Sequence, residues 1–104
     1  MPSMQYDVLA SKPITATGQL KDQNNNNLPR VRIKTVYGVS GSSAGSVVFY
    51  DGTANTAPVL MTLNSPSATD SGTFWLPMPG EGILAQTAVY AEMTNVASVM
   101  IIYG

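Results

Sequence analysis

Alternation of apolar and polar residues with a period of two is the feature that most constrains the fold of this chain. Residues 14–20 and 30–37 both follow this pattern. Side chains of a β-strand point to opposite faces in turn, whereas an amphipathic helix needs apolar residues spaced three and four positions apart. No segment shows convincing helical spacing, so the sequence predicts an all-β protein.

Turn-forming residues divide the chain into short segments. Polar or glycine-rich loops separate the two alternating segments from six more predicted strands, which span residues 46–51, 59–64, 73–79, 83–85, 87–93 and 96–104. Pro77 and Pro79 lack amide donors, so the strand that contains them ends there or lies at a sheet edge. Seven or eight short strands with frequent turns predict a small antiparallel β-sandwich or jelly-roll-like barrel.

The length of 104 residues suits one domain with a single core. We expect residues 13–104 to form this domain. Residues 1–12 have only three clustered apolar residues, Tyr6, Val8 and Leu9. They are predicted to form an extended N-terminal arm that becomes ordered on assembly.

Only 11% of the residues are charged, against about 25% in an ordinary soluble domain. A weakly charged surface gives little electrostatic protection against association, which favours binding to copies of itself or to a larger assembly. The chain has no cysteine, which excludes disulfides and thiolate metal sites. Its longest strongly apolar stretch, residues 99–103, is far shorter than the roughly 20 residues of a membrane helix, so we expect no membrane partner.

Catalysis is restricted by the absence of histidine, which excludes Ser-His and Cys-His arrangements and histidine zinc sites. The tetrapeptide at residues 70–73, D-S-G-T, resembles the catalytic loop of retroviral-type aspartic proteases, in which two subunits each contribute one aspartate. In that family the aspartate follows a hydrophobic strand, whereas residues 64–69 have loop composition. We therefore expect a turn here, no enzymatic activity, no cofactor and no metal.

Three basic residues, Arg30, Arg32 and Lys34, stand on alternate positions of one predicted strand. Alternation places them on one face with Val36, as a row about 13 Å long, and assigns the other face to the core. That core face comprises Val31, Ile33, Thr35 and Tyr37. The row has three interpretations: a solvated sheet face, a nucleic-acid contact, or a contact with an acidic protein surface.

The distribution of charge separates these interpretations. The net charge is −1, which argues against nucleic acid. Residues 1–50 contain all five basic residues against two acidic ones, Asp7 and Asp22, for a net charge of +3. Residues 51–104 contain no basic residue and have a net charge of −4, from Asp51, Asp70, Glu81 and Glu92. Two halves of opposite sign favour protein contacts, including pairing between subunits.

The chain has one tryptophan, Trp75, in the predicted strand 73–79. A single tryptophan in a small β-domain is typical of a core or interface position. The alternative is stacking on a sugar ring together with tyrosines, for which the candidates are Tyr37, Tyr50, Tyr90 and Tyr103.

Four stretches in this order resemble small structural proteins of marine tailed bacteriophages. They cover most of the chain and read "YDVLASKPITATGQL", "RVRIKTVYGVSGSSAGSVVFYDG", "PVLMTLNSPS" and "LPMPGEGILAQTAVYAEMTNVASVMIIYG". The resemblance lies in the local composition of these stretches and in their order along the chain, so it assigns no role to any individual residue. It implies a virion protein that is assembled in the cytoplasm of the host bacterium.

Within the virion, the resemblance implies a capsid decoration or cement protein that binds the major capsid protein or another virion protein. The alternative is a subunit of a head or tail fibre or knob, acting in host adhesion or carbohydrate binding. The sequence lacks the shaft repeats and heptads of a fibre, which favours decoration. By analogy with other small β decoration proteins, we expect a homotrimer.

Overall fold

Two antiparallel sheets make up the computed structural model, which describes residues 9–67, 72–78, 80 and 82–104. In chain order the strands are β1 (Leu9–Ala10), β2 (Gly18–Gln19), β3 (Val31–Ser40), β4 (Gly45–Asp51), β5 (Val59–Ser65), β6 (Thr73–Pro77), β7 (Ile83–Ala85), β8 (Val89–Thr94) and β9 (Val96–Tyr103). The described residues contain no helix. The predicted all-β fold and its β-sandwich architecture are confirmed.

The first sheet is organised around β3, its longest strand. One edge of β3 pairs with β9, whose other edge pairs with β1. The opposite edge of β3 pairs with two strands in succession, β7 along Val31–Ile33 and β6 along residues 35–39. Between these two partners β3 has a β-bulge: Ile33 pairs with Tyr103 and Thr35 with Ile102, so Lys34 is an extra residue on β3.

The second sheet has the order β2-β8-β4-β5. Its two inner strands, β4 and β8, pair over six residues, and β5 lies at the edge beyond β4. The chain therefore passes from one sheet to the other several times. For example, β3 and β4 lie in different sheets, as do β8 and β9. The link between β8 and β9 is one residue, Asn95, which has a positive φ of 53°.

Several predicted strand limits change in the structure. The segment 38–45 was expected to be a loop, yet β3 continues to Ser40 and only residues 41–44 connect it to β4. The predicted strand 14–20 is mostly irregular: only Gly18–Gln19 is a strand, and Ile14 forms an isolated bridge with Val99. This segment pairs first with β9 and then with β8, so it crosses from one sheet to the other.

The core lies between the sheets and is made mainly of aliphatic side chains, with Phe49 and Tyr103 as buried aromatic rings. Phe49 from the second sheet is fully buried, and it lies in a strand whose inward residues alternate with outward ones. The largest fully buried side chains from the rest of the sandwich are Leu20, Leu28, Ile33, Ile101, Val36, Val47, Val89 and Val99. Leu20 and Leu28 come from outside the strands and close the end of the core.

Residues 9–12, the last part of the predicted N-terminal arm, pair with the sandwich. Leu9 and Ala10 form β1 against the end of β9. Ser11 is fully buried, its amide donates to the Ile101 carbonyl at 2.9 Å, and its hydroxyl accepts from the Ile101 amide at 2.9 Å. Tyr6 and Val8, the other two predicted anchors, lie outside the described residues.

The carboxylate of Asp51 ties the end of β4 to the loop that precedes β8. It accepts hydrogen bonds from the backbone amides of Thr87 at 2.8 Å and Gln86 at 3.1 Å. The bond from Thr87 is the main cause that lowers the pKa of Asp51, and partial burial opposes it. The bonds favour the charged carboxylate, so they stabilise the folded state while Asp51 is ionised.

Acid should therefore weaken the sandwich through Asp51. The folded pKa lies below the ordinary value of 3.8, so this stabilisation is complete above that value and is lost as the pH falls through the folded pKa. Asp51→Asn should lower the free energy of unfolding near neutral pH by about 1 kcal/mol, because an amide replaces a charged acceptor. Below the folded pKa the difference between the two proteins should shrink. Urea unfolding across this pH range measures it, and a constant difference would contradict the assignment.

Candidate interaction surfaces

The bulge in β3 changes which residues of this strand face outward. Val31 and Ile33 are buried, as predicted, but after the irregularity Val36 is fully buried and Tyr37 is 41% exposed. The predictions that Val36 lies on the outer face and that Thr35 and Tyr37 lie on the core face are therefore wrong. The physical reason is that one extra residue in a strand reverses the alternation of faces beyond it.

The three predicted basic residues line one open groove of about 520 Å³ at the end of the first sheet. Arg30 is exposed just before β3, Arg32 is on the strand, and Lys34 lies within the irregular segment. The other lining residues are Leu9, Val31, Tyr103 and Gly104. A reciprocal pair of backbone hydrogen bonds, at 3.0 and 3.1 Å, joins Arg32 to Gly104 and holds the groove wall in place.

No described residue that lines this groove has a carboxylate side chain. Asp22, whose charge contributes with burial to a raised pKa of Tyr103, lines a neighbouring depression and accepts from the amides of Asn24 and Asn26. Glu92 lies on the second sheet, where it accepts a 2.9 Å hydrogen bond from the Tyr50 hydroxyl. That bond is the main cause of the raised pKa of Tyr50. These carboxylates thus serve local structure.

Lys12 and Lys21, the remaining basic residues, line a separate depression of about 440 Å³. Its other lining residues are Pro13, Ile14, Gln19 and Asn25. The backbone amide of Lys12 donates to the Lys21 carbonyl at 2.9 Å, which holds the two segments together. Because these two lysines lie outside the groove of Arg30, Arg32 and Lys34, replacing them is a control for replacing basic residues within the groove.

A row of large side chains crosses the outer face of the first sheet. Trp75 of β6 and Met100 of β9 both lie directly opposite Tyr37 of β3. Directly opposed residues of antiparallel strands share a face, so the three side chains stand beside one another. Trp75 is 64% exposed and Tyr37 is 41% exposed. We call this the aromatic row.

The rows on either side of the aromatic row contain no charged residue. One is Pro77, Thr35 and Ile102, and the other is Thr73, Val39 and Ser98. With strands about 4.8 Å apart and about 6.7 Å between rows, the three rows cover roughly 10 by 13 Å. This patch is far smaller than the roughly 800 Å² that a partner contributes to a standard interface. It is the size of an interface centre.

Sequence reasoning placed Trp75 at a core or interface position, and its exposure excludes the core. It assigned Leu9 to an assembly arm, whereas Leu9 lines the basic groove and is 56% exposed. The sequence offers Tyr37 beside Trp75 as one of four candidates for stacking on a sugar ring, but it does not predict that the two adjoin on the outer face, because alternation assigns Tyr37 to the core. A local signal was available: the consecutive polar residues Lys34 and Thr35 interrupt the apolar alternation of β3.

The described residues contain no group of three or more acidic, histidine or cysteine side chains that could hold a metal ion. Asp70, the aspartate of the protease-like tetrapeptide, lies outside the described residues, and Thr73 at its end begins β6. Within the part of the chain that the structure describes, no helix has the length and apolar character needed to cross a membrane.

Comparison with known proteins gives no match to a family model, to a curated protein or to a solved structure. The two surfaces, the basic groove and the aromatic row, are therefore the structural features that bear on function, beside the resemblance of the sequence to small phage structural proteins.

Proposed function

We propose that this chain is a non-enzymatic structural protein of a bacteriophage virion. In this proposal it is a capsid decoration protein, a homotrimer assembled in the host cytoplasm, that binds the outer capsid surface and stabilises the head. The observation that carries the proposal is the uncharged aromatic row of Trp75, Tyr37 and Met100, in which Trp75 and Tyr37 are exposed. The resemblance of the sequence to small phage structural proteins supplies the identity of the partner.

Energetic considerations support a protein partner for the aromatic row. Tyrosine, tryptophan and methionine are enriched in interface centres, where charged residues are depleted. A few such residues contribute most of the binding energy, and tryptophan and tyrosine are prominent among them. The Trp75 ring is largely exposed to water. A partner surface that covers it would bury its apolar area, and this burial is energetically favourable.

A second candidate function is a fibre or knob subunit that binds carbohydrate. The observation that favours it is the same exposed Tyr37 and Trp75 pair, since aromatic faces stack on sugar rings. Hydroxyl-bearing residues Thr35 and Ser98 lie in the adjoining rows, where they add polar groups beside the two rings. Location separates the two functions: a decoration protein should occur in copy numbers that match the capsid lattice, and a fibre subunit should be scarce.

Replacement of Trp75 with alanine tests the proposal. If the aromatic row is the centre of the docking surface, Trp75→Ala should cost about 2 kcal/mol or more of binding energy. That loss is at least about 30-fold in affinity for phage heads stripped of this protein. The fold should survive, because an exposed cross-strand pair contributes only about 0.2 to 1 kcal/mol. Sedimentation of labelled protein with stripped heads measures attachment.

Val59→Ala is the matched control, because Val59 is also a large exposed apolar residue, 57% exposed, but lies on the second sheet. Attachment that is unchanged in Trp75→Ala would reject the aromatic row as the docking centre. Binding to a glycan that is lost in Trp75→Ala, without binding to heads, would favour the carbohydrate function. Analytical ultracentrifugation tests the trimer, and an electron-microscopy map of intact particles gives position and copy number.

A further inference from the structure

The basic groove combines cationic side chains with an apolar wall, and we propose that it binds an extended acidic segment of a partner protein. The groove is the one lined by Arg30, Arg32 and Lys34, with Leu9 and Tyr103 on its wall. The inference rests on the proposed virion function only for where the partner is found. It adds the chemistry of a second contact, separate from the aromatic row.

Charge complementarity is the first argument. Three cationic side chains meet in the groove, and none of its described lining residues has a carboxylate side chain. Two of the cations are arginines, whose planar guanidinium groups bind carboxylates through paired hydrogen bonds. The protein as a whole has a net charge of −1, so these three side chains are a local concentration of basic residues in a weakly charged molecule.

Spacing is the second argument, and it specifies the partner's sequence pattern. Arg30 and Arg32 stand two positions apart, which along an extended backbone is about 6.7 Å. Alternate residues of an extended partner segment have the same repeat. The groove therefore matches acidic residues at positions i and i+2. Leu9, which is 56% exposed and lines the same groove, is available to an apolar side chain of that segment.

The groove chemistry favours an acidic polypeptide over a nucleic acid. Binding of single strands uses aromatic faces on which bases stack, close to the cationic side chains. Tyr103 is the aromatic residue among the described lining of the groove, and it is buried. The exposed aromatic residues, Tyr37 and Trp75, belong to the aromatic row on the outer face of the first sheet and are not groove lining.

A peptide titration of the full chain tests the proposal without phage particles. The probe is the blocked pentapeptide Leu-Ser-Glu-Ser-Glu, which places its leucine and both glutamates on one face, and the control peptide replaces both glutamates with glutamine. We expect the acidic peptide to shift the backbone amide signals of Arg30, Arg32 and Lys34 in NMR spectra. Its affinity should fall when salt is raised from about 0.05 to about 0.5 M.

The double variant Arg30→Gln with Lys34→Gln removes one of the two arginines matched to acidic residues, together with the third cation of the groove. It should weaken binding of the acidic peptide by about 1.4- to 30-fold, the range for the loss of one to two exposed ion pairs. The double variant Lys12→Gln with Lys21→Gln removes the same charge from the separate depression and should bind as the unmodified protein does. Equal weakening by both variants would mean that net charge, not the groove, determines binding.

Three other results would also overturn the proposal. These are equal binding of the acidic and glutamine peptides, no binding of either peptide, and tighter binding of an oligothymidylate that the Arg30 and Lys34 double variant loses. None of these results bears on attachment through the aromatic row, which the Trp75→Ala experiment tests on stripped heads. A failure of the groove and a failure of the proposed virion function are therefore distinguishable.

Discussion

Replacing Phe49 with alanine should lower the free energy of unfolding by about 3 to 5 kcal/mol. Phe49 is fully buried at the centre of the second sheet, opposite Ala91 on one neighbouring strand and Met61 on the other. Ala91 is too small to fill the space that the ring would leave. The lost transfer energy and the remaining cavity both contribute to the loss.

A loss of this size is a large fraction of the roughly 5 to 15 kcal/mol that stabilises a typical domain. Urea denaturation followed by far-ultraviolet circular dichroism measures it. Phe49→Leu keeps most of the apolar volume and should lose clearly less, while Trp75→Ala should change stability by less than about 1 kcal/mol because that ring is exposed. A loss below about 1 kcal/mol for Phe49→Ala would contradict the core described for the sandwich.

Gly82→Ala is expected to cost about 2 to 6 kcal/mol, from two separate causes. Gly82 has a positive φ of 91°, a conformation that costs an L-residue about 1 to 3 kcal/mol. A Cβ atom at this position would also approach the Ile33 carbonyl oxygen to 2.3 Å, and backbone atoms cannot move aside as a flexible side chain can. Relief of such overpacking typically costs a further 1 to 3 kcal/mol or so.

Gly80→Ala separates these two causes. Gly80 also has a positive φ, of 60°, but nothing lies within 4 Å of the position that its Cβ would occupy. This variant should therefore show the conformational cost alone and remain more stable than Gly82→Ala in the same urea experiment. Equal losses in the two variants would show that the contact with Ile33 contributes nothing.

The β-sandwich architecture was predictable because the patterns that indicate it lie within short segments of the sequence. Period-two alternation and turn residues act over a few positions, and they indicated a sandwich of short strands. The path of residues 14–20 was not predictable in this way. Their alternation is that of a strand, but Ile14 pairs with Val99 and Gly18 with Ala91, on different sheets. Such a crossing depends on where distant strands lie.

The interaction surfaces were predictable only in part, for the same reason. Alternate spacing predicted that Arg30, Arg32 and Lys34 lie together, and they line one groove. The contribution of Tyr103 to that groove depends on the pairing of β9 with β3. The aromatic row depends on the bulge, which lies where β3 changes partner from β7 to β6. No pattern within a single strand specifies that change of partner.

The bulge also sets how insertions and deletions act on this protein. Before it, the outward positions of β3 are even-numbered, as at Arg32, and after it they are odd-numbered, as at Tyr37. Deletion of the extra residue, Lys34, would leave one regular strand in which Val36 still faces the core and Tyr37 still faces outward, because Thr35 would then follow Ile33 directly. Such a deletion would remove one cation of the groove and leave the aromatic row on the outer face, so a change of length at the bulge can alter one surface without the other.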